Sequence, residues 1–124
     1  MEKGTRLFNE SHEWLEALGD DRYRIGISDY AQDSMGDVVF VDLPDEDDEL
    51  SIGDSFAEAE SVKAVSEIFS PVDGVVVAVN DELDDNPAAL NEAPYDAWMV
   101  EVKATAVKDD LMTEEAYLEF VKTL

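Results

Sequence analysis

Along much of the chain, apolar and polar residues alternate with a period of two, the signature of half-buried strands. In "DRYRIGIS", Tyr23, Ile25 and Ile27 alternate with Arg22, Arg24 and Gly26. The next stretch, "SDYAQDSMG", predicts a short helical turn with Ser28 as N-cap and Gly36 as stop. "DVVFVDLP" reads as a continuous apolar strand closed by Pro44, and "DEDDELSIGD" as an acidic loop running into a turn at Gly53-Asp54. "SFAEAESV" and "AVSEIFSP" read as two strand arms on either side of Lys63. Asp73-Gly74 is a tight-turn signal, after which "VVVAVND" resumes a strand with Val75, Val77 and Val79 on one face. Residues 81–97 form a loop punctuated by Pro and Asn, and "AWMVEVKAT" alternates again. Only the last segment changes period: Tyr117, Phe120, Val121 and Leu124 fall at helical spacing, predicting an amphipathic helix over about 110–123.

At least six short strands separated by turn signals, with little helix before the end, place the chain in the mainly β class, as a sandwich or barrel. "GDVVFVDLP" and "DGVVVAVND" resemble each other loosely, which suggests two similar sheet halves. The 124 residues suffice for one core, so the expected organisation is a single domain over 1–124, with a hairpin around Lys63 spanning about 56–79.

Charge changes the picture. The chain carries 32 acidic residues against 8 basic ones, a formal net charge of −24. Such a surface repels nucleic acid and anionic lipid, which are held by neutralising phosphates with Lys and Arg, and it steers basic partners inward. Self-repulsion on this scale suits strong screening, since the Debye length shrinks to about 3 Å at 1 M salt. A prokaryotic, salt-rich cytoplasm is the expected setting. With no cysteine there is no disulfide, thiol nucleophile or thiolate metal site. The N-terminal segment shows no apolar signal core, and no run approaches the roughly 18 apolar residues of a membrane span.

Against this background Lys63 stands out. From Arg24 onward it is the next cationic residue, and none follows until Lys103. It lies between Val62 and Ala64 at or near the tip of the expected hairpin, where its stem would project into solvent beside small neighbours. A group attached there gains a flexible tether on a rigid base, and with it a high effective concentration at partner active sites. The plain alternative is a solvating surface lysine paired with Glu60 or Glu67. His12 is the sole histidine, so one chain can build neither a His-rich metal site nor a Ser-His pair. Its place beside Trp14 in "SHEW" suggests packing. "DEDDEL" lacks the spacing and central glycine of a calcium loop and reads as a solvated acidic loop. No nucleophile–base pair or phosphate-cradling loop is present, so no catalytic residue is expected.

The stretch "ESVKAVSEIFSPVDGVVVAVN" resembles the lipoyl-attachment segment of the glycine cleavage system H protein family. "SHEWL" (11–15), "IGISDYAQDSMGDVVFVDLP" (25–44) and "GDSF" (53–56) fit the same family in order, as do Asn80, Leu83, Pro87, Asn91, Pro94-Tyr95 and Trp98. The resemblance runs from about residue 7 to 105 and puts Lys63 on the modified lysine. It implies a lipoyl/biotinyl-carrier-like fold, two antiparallel sheets in a barrel-sandwich hybrid with short helices, and a carrier instead of an enzyme. It also implies a covalent lipoate on Lys63, installed by a lipoate ligase or lipoyltransferase. The implied partners are the pyridoxal-phosphate-dependent glycine decarboxylase (P protein), which loads the arm with an aminomethyl group, and the tetrahydrofolate-dependent aminomethyltransferase (T protein), which unloads it. Dihydrolipoyl dehydrogenase (L protein) then reoxidises the dithiol. In this family the loaded arm folds into a surface cleft away from water, and by motif position Glu13 and Glu67 are the carboxylates expected to face its amine.

Rival readings remain at this level. Biotin carriers set the lysine between methionines, and the lipoyl domains of 2-oxo acid dehydrogenases favour an Asp-Lys-Ala core; here the core is Glu60-Ser61-Val62-Lys63-Ala64. A lipoyl relay that hands lipoate to other enzymes would use the same lysine. From another class, an acidic decoy for a basic partner would explain the charge but not the solitary lysine.

Overall fold

The computed structural model describes residues 2–124. In chain order the elements are β1 (Arg6–Phe8), β2 (Glu13–Gly19), β3 (Arg22–Ile27), α1 (Asp29–Met35), β4 (Val38–Asp42), β5 (Glu49–Leu50), β6 (Ser55–Ser61), β7 (Val65–Phe69) and β8 (Val72–Val79). They continue with α2 (Glu82–Asp85), α3 (Ala89–Glu92), β9 (Val100–Val107), β10 (Met112–Thr113) and α4 (Glu114–Val121). All pairings are antiparallel. They form a seven-stranded sheet, β10-β1-β2-β3-β9-β8-β5, and a three-stranded sheet, β4-β6-β7. Both orders are open, so the architecture is two packed sheets and not a closed barrel.

The core lies between the sheets. Ile25, Val76, Val100 and Val102 come from the large sheet, and Val41, Ala59 and Ile68 from the small one. Residues 81–97, expected as loop, instead hold two one-turn helices. Each is too short to show a period in sequence, and each is fixed by one leucine, Leu83 or Leu90, sunk into the core. Burying one such side chain contributes about 2 kcal/mol.

Two sequence signals in β8 are overturned. Asp73-Gly74 makes no turn; both residues lie within the strand, paired with β9. Gly74 is there because β9 passes so close that a Cβ would collide with the Lys103 carbonyl oxygen. Register shifts at Asp73/Gly74 and Val76/Ala78 break the period of two. Val72 and Val76 are therefore the buried residues, while Val75, Val77 and Val79 are only half-buried.

The hairpin expected over 56–79 is shorter. β6 and β7 form it over residues 55–69, and from Val72 the chain crosses into the other sheet. The C-terminal helix likewise covers Glu114–Val121, because Met112 and Thr113 pair with β1 first. Thr113 caps the helix by accepting a hydrogen bond from the Ala116 amide at 3.2 Å. Tyr117 then stacks on Phe8 at 4.5 Å, tying the helix to the start of the chain.

Candidate functional site

Ser61 ends β6 and shapes the turn after it. Its amide donates to the Ala64 carbonyl at 2.8 Å, and its Oγ accepts from the amides of Lys63 and Ala64 at 3.3 and 3.1 Å. The Val62 amide reaches the Asp37 carbonyl at 3.2 Å, binding the tip to the loop between α1 and β4. That loop is itself clamped by Asn91. The Asn91 amide group donates to the Gly36 carbonyl at 2.9 Å, and its Oδ1 accepts from the Val38 amide at 2.8 Å. Gly36 has φ +84°, which a glycine adopts without strain. A Cβ there would stand 3.3 Å from Lys63 Cε, so the glycine makes a bed for the lysine stem.

Lys63 itself is exposed. Among the described residues its ammonium forms no ion pair, with Glu60, Glu67 or any other carboxylate. Its backbone is fixed and its amine is free.

Beside the tip a cleft of about 210 Å³ opens between β7 and the β2–α1 region, lined by Ser11, His12, Glu13, Tyr30, Ala64, Ser66 and Glu67 among others. It runs from the residue after Lys63 to Glu13 and brings both sequence-predicted carboxylates to one surface. Glu67 is exposed, whereas Glu13 is 1% exposed. Glu13 accepts at Oε1 from Asn9 Nδ2 at 3.0 Å and from the Ser11 hydroxyl, and at Oε2 from the Phe69 amide at 3.2 Å. Burial pushes its pKa above the ordinary 4.5, against the pull of these donors. Ser66 and Tyr30, for which the sequence suggested no part, line the same cleft.

His12 packs less against Trp14 than against the C-terminal helix. Its Nδ1 lies 2.7 Å from the Tyr117 hydroxyl, and its ring lies 4.7 Å from that of Tyr30. Burial lowers its pKa below the ordinary 6.5, because the charged ring loses hydration. The acidic loop 45–49 is exposed, and no group of three or more His, Cys, Asp or Glu among the described residues is placed to hold a metal ion. Asn91 was legible only as a motif residue and Gly36 only as the helix stop and a motif residue, since their joint role depends on a contact across 55 positions.

An exposed lysine without a carboxylate partner, on a locked hairpin tip next to a cleft, is the arrangement expected of a carrier domain for a covalently attached group. The glycine cleavage H-protein family model matches residues 6–124. The chain is 50% identical over 121 residues to the glycine cleavage system H protein of Vibrio parahaemolyticus, covering 95% of this chain and 96% of that one. It is 45% identical over 120 residues to the probable glycine cleavage system H protein of Pyrococcus horikoshii, with 94% and 90% covered. The crystal structure of a glycine cleavage system H protein from Mycobacterium marinum superposes with a TM-score of 0.89 at 37% identity, covering 98% of this chain and 99% of that one. The chain belongs to the glycine cleavage H-protein family, and with it to the non-catalytic lipoyl carriers of the glycine cleavage system.

Proposed function

We propose that Lys63 is the residue that carries lipoate, and that the whole chain acts as one carrier domain shuttling an aminomethyl group between the P and T proteins, with the L protein restoring the arm. The observation that carries this reading is the lysine's solitary, exposed and unpaired state on a hairpin tip whose backbone is pinned by Ser61. The residues present suit the group: an accessible amine with Ala64 beside it, and a cleft within reach. When bound, the lipoyl group supplies a redox-active disulfide, which a chain without cysteine cannot provide itself.

The protein's own residues do the rest. Gly36 and Ser61 orient the stem, leaving the far end free to swing. Glu13, held by three donors, and Glu67 at the cleft mouth offer negative charge to a protonated amine, while Tyr30 and Met35 help exclude water. A relay of lipoate to other enzymes would use the same lysine, but nothing in the site or the relatives favours it. Among the described residues, no helix is long and apolar enough to cross a membrane. The net charge of −24 supports a salt-rich prokaryotic cytoplasm as the working environment.

The test is peptide mass mapping of protein isolated from its own host grown with lipoate. The expected result is one lipoyl adduct, on the peptide bearing Lys63. An unmodified Lys63, or lipoate on another lysine, would overturn the assignment.

A further inference from the structure

Apart from Glu67, which also lines the cleft, the outward face of the three-stranded sheet is used by neither the cleft nor the core. Its register puts Phe40, Glu60 and Val65 in one cross-strand row, and Asp42, Glu58 and Glu67 in the next. Paired residues share a face, with Cβ atoms about 5 Å apart, and all six are exposed. Phe40 is 55% exposed, Val65 57% and Val62, on the tip itself, 71%. Scattered single apolar residues on a surface require no explanation. Here Phe40 and Val65 flank Glu60 in one row, and Val62 and Val65 stand within two positions of the lysine, on a protein with net charge −24. The core has no use for Phe40 either, because Val38 and Val41 of the same strand already fill it.

We propose that this face is the docking surface for the enzyme that forms the amide on Lys63. That enzyme seats Phe40 and Val65 in an apolar hollow and meets Asp42, Glu58 and Glu60 with lysine and arginine. The proposal rests on Lys63 being the attachment residue. Reach selects this occupant. An enzyme acting on the far end of the arm can work at a distance from the sheet, whereas one that joins lipoate to Nζ must bring its reacting centre within a single lysine length of the tip. It therefore presses on the strands that flank Lys63. Charge gives the complement: a row of carboxylates attracts a basic partner before contact and fixes its orientation, while the buried apolar pair holds it.

The experiment uses purified unmodified protein, a lipoate–protein ligase, ATP and lipoate. Phe40→Ser and Val65→Thr are each expected to raise KM about tenfold with kcat unchanged, the size of one anchor lost from a small interface. Asp42→Asn combined with Glu58→Gln is expected to lower kcat/KM at low salt and flatten its salt dependence. All of these side chains are exposed, so melting temperatures should stay at the wild-type value. Labelling of Lys63 by the succinimidyl ester of lipoate, read by peptide mass, should be equal in all variants, since that reagent needs no docking. Wild-type KM in both apolar variants would overturn the proposal. So would a parallel fall in ester labelling, which would place the effect in how the lysine is presented. A wild-type protein that the ester labels at Lys63 but the ligase does not would instead strike at Lys63 as the attachment residue.

Discussion

Lys63, next in sequence to the cleft residue Ala64, and Glu13, inside the cleft, are built in opposite ways. At Lys63 the backbone is locked, by Ser61 and by the Asp37 carbonyl, and the side chain is left in water without a partner. At Glu13 the side chain is locked by Asn9, Ser11 and the Phe69 amide, and water is shut out. The contrast suits the proposed roles. An arm based at Lys63 would have to move from a fixed base, so constraint belongs in the turn. A wall at Glu13 that receives the arm's end would have to stay in place, so constraint belongs in the carboxylate.

The contrast is undone most completely at Lys63. Lys63→Arg keeps the charge and the fold, yet it should take up no lipoate and abolish glycine-dependent CO₂ exchange with the partner enzymes. Any residual cycling would be inconsistent with Lys63 as the arm's base. Glu13→Ala leaves three donors without an acceptor, the Asn9 amide buried among them, and should cost about 3 kcal/mol in a denaturant titration; a loss under ~1 kcal/mol would mean water replaces the carboxylate freely.

Glu13→Gln probes the buried side of the pair through pH. With a raised folded pKa, the folded state keeps the proton of Glu13 to higher pH than the unfolded chain does. Wild-type stability should therefore fall relative to Glu13→Gln as pH climbs from 4.5 through the raised value, and run parallel above it. A constant difference across that window would show that burial leaves the carboxyl unshifted. Gly36→Ala tests the lysine's bed, with about 1–2 kcal/mol of backbone strain at φ +84° and a displaced Lys63 stem. Slower lipoylation than in a surface variant of equal stability is expected. The smallest effect is global: the melting temperature should rise from dilute buffer to molar salt as repulsion among 32 carboxylates is screened, and a flat profile would remove the support for a salt-rich setting.

Local chemistry was legible wherever neighbours in sequence decide the outcome. Ser28 caps α1 by accepting from the Ala31 amide and Gly36 ends it, as the residues predict. β3, β6 and β7 form where the alternation places strands, and the hairpin tip falls on Lys63. Local patterns mislead where distant strands intrude. Asp73-Gly74 has the composition of a turn, but β9 passes too close to Gly74 for any side chain, so the glycine serves the approach of two strands. The register shifts in β8 then leave Val75 and Val77 outside the core cluster, while Val79 packs against it. α2 and α3 escaped notice because four residues cannot display a helical period, and the leucines that hold them act through the core.

By itself, then, the sequence determined the β class, the family motifs, the acidic surface and the isolated lysine proposed as the attachment point, because periodicity, charge and motif order are properties of the chain as written. Only the tertiary structure decided that β8 leaves the lysine hairpin for the other sheet, and that Glu13 is buried while Glu67 stays in water. It alone set Asn91 and Gly36 beneath Lys63, and Phe40 in line with Val65. Each of these depends on backbone and side chains that meet across tens of residues, and such meetings are settled by how the two sheets pack.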